Sequence, residues 1–302
     1  MAEKNYKDSS DTFLSVTIII PVFNDQEGLN RCLQAISLQT YPFNNLEVII
    51  VDNGSKQPII LESLTTYEVK LIECKTPGSY AARNAGVKVA KNDIFCFIDA
   101  DCWPDKDWLK SSIATLKIYD GKSIVGGEVK VIKPQKPTSV ALYQYITGFD
   151  QKNNIKNKGF SVTANLTCFR RQFKQVGFFS ETLFSGGDLE WSLRASKNSL
   201  SIVYDSKSIV YTEPRTTLRS AIIQARRVTA GRKVLRELNV VHVSAYSLAK
   251  KRTPWQAIIF IFSKNEFSVF DRIRVICVAS IIRAAELLET IKLALGSKAE
   301  RR

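Results

Sequence analysis

Three short runs of branched and aromatic residues, "VTIII" at 16–20, "VIIV" at 48–51 and "IFCFI" at 94–98, do most to limit how this chain can fold. A strand built on such a run has almost no polar face to give to water, so it must be covered on both sides. The intervening segments have helical spacing. In "DQEGLNRCLQAISLQ" the apolar face is Leu29, Leu33, Ile36 and Leu38; "GSYAARNAGVKVA" and "PDKDWLKSSIATLKIY" follow, the latter with Pro104 near its start. "VKLIE" adds another strand, and the first strand is predicted to end at Pro21. Strands alternating with helices predict an α/β fold with a mainly parallel central sheet flanked by helices. Ligands of such sheets sit beyond the carboxyl ends of the strands, where the sequence puts Asp52, Asp99 and Asp101. Carboxylates at the mouth of buried strands are costly unless something pairs with them.

Beyond residue 128 the alternation loosens. "GFSVTANLTCFRRQFKQVGFF" reads as a strand and a short helix, "GGDLEWSLRASKNS" as a helix, and "LSIVYDSKSIVYTEP" as two short strands. Near the C-terminus, "WQAIIFIF" and "VICVASII" are too short and too closely flanked by Arg272, Arg274, Arg283, Glu286, Glu289 and Lys292 to span a bilayer, which needs roughly 20 apolar residues. Two amphipathic helices fit instead, lying on a membrane, on a partner or on the protein's own core. The expected organisation is a polar tail (1–13), a catalytic-type domain (14–235, divided near 128) and a basic, amphipathic extension (236–302).

With 45% hydrophobic residues in 302, the chain can bury a sizeable core. Its charged N-terminus, "MAEKNYKDSSDTF", lacks the apolar stretch of a signal peptide, so a cytoplasmic protein is expected. The six scattered cysteines contain no C-x-x-C pair, which argues for reduced thiols and against a zinc site. His242 is the sole histidine and reads as an ordinary surface residue, so any general base should be a carboxylate. Of the net charge of +14, a dense part lies between Lys207 and Arg252, where eleven Lys and Arg face only Glu213 and Glu237. Such a patch suits anionic lipid or a phosphate-bearing substrate. Nucleic acid is not expected as a partner, because no nucleic-acid-binding signature accompanies the charge.

"VTIIIPVFND", "VIIVDNGS" and "ARNAGVKVAKNDIFCFIDAD" in this order and spacing resemble the family 2 glycosyltransferases, over about Val16–Arg232. The resemblance implies the GT-A nucleotide-diphospho-sugar fold. It implies a donor site comprising Pro21, Phe23, Asn24, Asp52, Asn53, Gly54, Arg83, Asn84, Asp99 and Ala100, with Asp52 on uracil and Arg83 on nucleotide or diphosphate. In the Asp-x-Asp pair it makes Asp101 the ligand of a divalent cation, Mg²⁺ or Mn²⁺, and turns Asp99 to the donor. "GGDLEWSLR" is similar to the family's E-D-x-(D/E)-L-x-x-R segment, which makes Asp188 the catalytic base of an inverting transfer; Gly187 stands where relatives usually have Glu. Glu190 and Arg194 fall on the later acid and arginine, on the acceptor or diphosphate side. "YTEPRTTLRSAIIQARRV" resembles the Thr-Glu and Gln-x-x-Arg-Trp region of processive synthases at Thr212, Glu213, Gln224 and Arg227, but Val228 replaces the Trp, which implies single-sugar transfer. Arg226, Arg227 and Arg232 are placed either over the diphosphate or against anionic lipid.

The resemblance implies transfer of a sugar from a nucleotide-diphospho-sugar, UDP-linked through the role it gives Asp52, to a glycan or lipid-linked acceptor at the cytoplasmic face of a membrane. A sugar-phosphate nucleotidyltransferase would need a Gly-rich loop with a nearby basic residue after the first strand, which "PVFNDQEG" does not supply. A non-catalytic nucleotide-sugar or membrane-surface binding protein would have no use for Asp99, Asp101 and Asp188 together.

Overall fold

The computed structural model describes residues 13–61, 67–135, 137–238 and 253–297. Most of the polar tail, His242, the stretch 239–252 and residues 298–302 lie outside the described residues. Eight strands form one sheet: β1 (Val16–Val22), β2 (Leu46–Asp52), β3 (Glu68–Glu73), β4 (Ile94–Phe97), β5 (Cys102–Pro104), β6 (Ser123–Val131), β7 (Leu166–Phe169) and β8 (Ser201–Thr212). Their order is β3-β2-β1-β4-β7-β6-β8-β5. β3, β2, β1 and β4 run parallel, β7 runs antiparallel to β4 and to β6, and β8 lies parallel to β6. One edge of the sheet therefore gathers the carboxyl ends of β1, β2, β4, β6 and β8 with the start of β7.

The helices are α1 (Gln26–Ile36), α2 (Ser79–Val89), α3 (Trp108–Ile118), α4 (Ser139–Thr147), α5 (Gln151–Lys158), α6 (Arg170–Val176), α7 (Gly187–Lys197), α8 (Leu218–Glu237), α9 (Pro254–Phe262) and α10 (Val269–Ala294). Alternate residues of each apolar strand feed two separate cores. Ile18, Ile20, Val48, Ile50 and Cys96 pack with Leu29 and Ile36 of α1 and with Trp108 and Leu116 of α3. Ile19, Ile49, Val51, Phe95 and Phe97 pack with Ala82 and Val87 of α2, Phe173 of α6 and Trp191 of α7. This double burial is why these strands read as continuous apolar runs.

Several local expectations are corrected. β1 continues through Pro21 to Val22. The Ile19 carbonyl faces β4, accepting from Ile98 N–H, so Pro21 two residues on faces the same side, where β4 no longer pairs. Its missing N–H therefore costs no ladder bond. Leu38 lies past the end of α1 and is 67% exposed. Pro104 belongs to β5, which pairs with β8, and α3 begins only at Trp108. The two strands expected over 200–214 are one, β8, in which Ser206–Ser208 are left without partners on β6.

α9 and α10 rest partly on the protein's own core. Val278 and Ile282 of α10 meet Val140 of α4 and Ala221 and Ala225 of α8. Ile261, Phe267 and Val275 meet Leu142 and Ile146 of α4. No described helix is long and apolar enough to cross a membrane. α8 itself runs to Glu237, across the expected boundary at 235.

α2 lies flush on the sheet because Gly86 has no side chain: a Cβ there would sit 2.6 Å from Ile19 Cγ2 and 3.3 Å from Val51 Cγ2. Gly86→Val is expected to cost about 1–3 kcal/mol, the usual range for overpacking. The readout is a lowered urea midpoint with an unchanged m-value; an unchanged midpoint would mean that α2 can lift from the sheet freely.

Candidate functional site

A cavity of about 380 Å³ opens at the edge where the carboxyl ends gather, walled by Tyr80, Arg83, Asp99, Asp101, Asp188, Arg215 and Arg227 among others. A larger one, about 730 Å³, lies at the opposite ends of the strands and offers one acid, Asp93, beside Lys91 and Arg171. Only the first brings several carboxylates together.

The acid pair sits in a tight turn. Ile98 N–H extends the β1–β4 ladder, and Cys102 N–H closes back on the Asp99 carbonyl at 3.0 Å. The short β5–β8 pairing and the Thr212 hydroxyl, which donates to the Asp101 carbonyl at 3.3 Å, hold the far side. Beneath the turn lies Arg83, only 2% exposed. Its Nη2 is ion-paired with Asp99 Oδ1, whereas Nε and Nη1 have no hydrogen-bond partner. Buried donors left unmade cost roughly 1–3 kcal/mol each; both atoms are out of solvent contact, so Arg83 acts on the pocket through its charge.

Asp99 is thus ion-paired, whereas Asp101 has no ion pair among the described residues. Burial among protein atoms, followed by the charge of Asp99, raises the Asp101 carboxyl from 3.8 to about 6, with Arg215 opposing and Asp25 assisting. Its surface opens to the pocket mouth, so one side remains solvated. Among the described residues no group of three His, Cys, Asp or Glu could enclose a metal ion. A cation on Asp101 would need further oxygens from a ligand, as hard divalent ions commonly take from phosphates. The excess negative charge around Asp101 fits such an ion.

Asp188 faces the same cavity from the first turn of α7, reached through Gly186 in the left-handed region at φ 83°. Its Oδ1 accepts from Leu189 N–H at 2.9 Å and from the Tyr80 hydroxyl at 3.3 Å. Burial raises its pKa, against the Leu189 N–H, the Arg83 charge and the Tyr80 hydroxyl. A carboxylate held this way suits general-base work. Opposite stands Arg215, whose Nε donates to Gln224 Oε1 at 3.1 Å; Gln144 Nε2 reaches the same oxygen at 3.3 Å.

Pro21, Phe23, Asn24, Asp52 and Gly54 lie at the carboxyl ends of β1 and β2, and none of them lines this cavity. Asp52 Oδ1 accepts from Ser55 N–H at 2.9 Å, and Asn24, at φ 52°, ties to the same turn through Ser55 Oγ and Lys56 N–H. Other expected site residues instead hold the scaffold. Asn53 bonds the backbone of Cys74, Thr76 and Gly78, and Asn84 bonds the backbone of Phe179 and the Glu181 carboxylate. Glu190 and Arg194 pair with each other, and Arg194 also reaches the carbonyls of Val176 and Phe178. Arg232 pairs with Glu286 of α10, and the Ala100 methyl is buried in the core beneath α1. Arg227 does line the cavity.

Tyr80 and Arg215 were not anticipated. Tyr80 precedes Arg83 by three residues and so shares its helix face, a spacing that could have flagged it. Arg215 follows the Glu-Pro that comes directly after β8.

The glycosyl transferase family 2 model matches residues 17–177. Glycosyltransferase AglE of Haloferax volcanii is 36% identical over 200 residues, covering 65% of this chain and 66% of AglE. The chain spans about two thirds or less of the length of the curated relatives it matches. Among solved structures, the mannosyltransferase PcManGT of Pyrobaculum calidifontis, in complex with GDP-Man and Mn²⁺, aligns at TM-score 0.60 and 17% identity over 94% of this chain and 88% of that one. The TarS 1–349 fragment of S. aureus in complex with UDP-GlcNAc aligns at 0.52 and 16%, over 95% and 93%. These likenesses agree with the mixed sheet in showing a GT-A fold. The acid pair, the carboxylate on α7 and the match over more than half the chain together place it in glycosyl transferase family 2.

Proposed function

We propose that this chain transfers a sugar, with inversion, from a nucleoside-diphosphate donor to a hydroxyl of a glycan or lipid-linked acceptor. The observation that carries the reading is Asp188, whose Oδ1 is held by Leu189 and Tyr80, sharing one cavity with Asp99, Asp101 and Arg83. Asp188 takes the proton of the acceptor hydroxyl as its oxygen attacks the anomeric carbon. The bond from that carbon to the diphosphate breaks, and the nucleoside diphosphate leaves with the electron pair. The positive charges of Arg83, Arg215 and Arg227 around the cavity are suited to the negative charge that develops there. Asp101 would hold Mg²⁺ or Mn²⁺, which supplies charge neutralisation to the diphosphate when bound. A uracil base is the reading for Asp52, whose carboxylate stands at the end of β2.

The outward residues Trp255, Ile259 and Phe270 support peripheral docking at the cytoplasmic face of an anionic membrane. Trp255→Glu combined with Ile259→Glu is expected to abolish cosedimentation with anionic vesicles, and retained binding would remove membrane docking from this reading.

A panel of nucleotide-sugars with Mn²⁺ or Mg²⁺ should raise the melting temperature for the true donor, since a ligand of the folded state stabilises it. With that donor, Asp188→Asn should lower turnover on the order of 10²–10⁴-fold while the donor-induced stabilisation persists. Unchanged turnover would refute the base assignment.

Asp101 gives a pH test in the presence of a chelator. Its folded pKa, about 6, lies above the ordinary 3.8, so the folded state binds its proton more tightly. Stability should fall as pH rises from about 4 through 6. Asp101→Asn lacks this loss, so its melting temperature should gain on the wild type across that window. A gap that stays constant with pH would contradict it.

A further inference from the structure

The glycine before the base has a structural counterpart. A Cβ on Gly187 would lie 2.6 Å from Tyr80 Cε2 and 2.8 Å from both Cδ2 and Cζ. The tyrosine ring therefore occupies the volume that any side chain at 187 would need. From that seat the Tyr80 hydroxyl accepts from Asp188 N–H at 3.2 Å and donates to Asp188 Oδ1 at 3.3 Å. The same ring lies under the Arg83 guanidinium, 5.5 Å from its centroid, and packs on Phe179 at 5.8 Å. One buried side chain thus touches both the candidate base and the cation paired with Asp99.

We propose that Tyr80 is a positioning residue for glycosyl transfer: with Gly187 making room, its hydroxyl and Leu189 N–H hold Asp188 Oδ1, leaving Oδ2 to take the acceptor's proton, while its ring seats Arg83. This inference rests on the transfer reading above. A tyrosine that only filled the core would keep its function as phenylalanine, because the ring contacts do not need the oxygen.

Tyr80→Phe preserves the ring and removes the hydroxyl. With a turnover-competent donor and metal, kcat should fall about five- to ten-fold, the loss of one hydrogen bond made to a reacting group, with donor KM unchanged. The acidic limb of the kcat profile should move to higher pH, because a carboxylate that loses a donor protonates more readily. The groups facing Asp188 are Tyr80 and Arg83 of α2, Asp99 after β4, and Leu189 N–H on its own helix, and Tyr80→Phe removes only the hydroxyl from this set. A lowered melting temperature with kcat and the limb unmoved would overturn the proposal.

A second measurement does not need turnover. A carbon-13 NMR titration of the Asp188 carboxyl, assigned with Asp188→Asn, should show a higher midpoint in Tyr80→Phe than in the wild type; equal midpoints would overturn the proposal. A wild type without turnover on any donor would instead refute the transfer reading, with the titration still deciding for the Tyr80 contact. Finally, Gly187→Ala and Tyr80→Ala should together destabilise by less than their sum, since removing the ring vacates the space. Strictly additive losses would show that the ring does not occupy it.

Discussion

Arg83 is a cation buried against the carboxyl end of a parallel sheet, and it is tolerated there because Asp99 is ion-paired with it. Removing the partner of a buried charge typically costs 3–5 kcal/mol, less here because the Asp99 side chain is 37% exposed. The pair requires α2 to lie close to β1, which Gly86 permits, and requires the turn after β4 to present Asp99 toward α2. With Asp99 ion-paired in this way, Asp101 is the member of the acid pair without a salt-bridge partner among the described residues. The asymmetry between two aspartates separated by one alanine therefore originates beneath them, in a helix that carries neither.

The same helix face organises the other side of the cavity. Tyr80 and Arg83 are one turn apart, so the contact with Asp188 and the pairing with Asp99 are set by a single rigid element. Loops alone would leave the distance between Asp188 and the acid pair to be fixed by ordering them on binding, which costs conformational entropy. Here Asn53 and Asn84 remove that freedom beforehand, one holding the loop that enters α2 and the other holding the segment that leads toward α7.

The parallel half of the fold was legible in the sequence because β1, β2 and β4 are buried on both faces and carry apolar residues with hardly a break. β5 was not legible, since three residues ending in proline have no periodicity to read. β8 looked like two strands because Ser206–Ser208 interrupt its pairing with β6. In the site, Asp99, Asp101 and Asp188 could be picked out because they fall in register with the family's motifs; singly, an acid after a strand or at a helix start has ordinary structural uses. Asn53, Asn84, Glu190 and Arg194 occupy motif positions equally well, yet their side chains bind the scaffold. A motif marks residues that a site needs, and backbone clamps are needed as much as ligand contacts. Tyr80 escaped notice for the opposite reason: an aromatic on a helix's inward face reads as core, and its hydroxyl matters only through a partner 108 residues away.

The C-terminal helices extend this logic beyond the family's matched region. α8 presents Gln224 and Arg227 to the cavity on one face, while Ala221 and Ala225 on another pack against Val278 and Ile282 of α10. Farther along, Gly231 lets α8 approach the Ser185 carbonyl, where a Cβ would come within 2.4 Å, and Leu235 abuts Gly186. Those two residues lead directly into the helix that carries Asp188. α8 is thus clasped between α10 and the segment ahead of Asp188, so α10 supports the geometry of the cavity as well as any outer surface it covers. Deleting α9 and α10 would bare Ala221 and Ala225 and loosen the helix that bears Arg227, confounding loss of surface docking with loss of the site. Substitutions confined to the outward face separate the two, because they leave the α8–α10 packing intact.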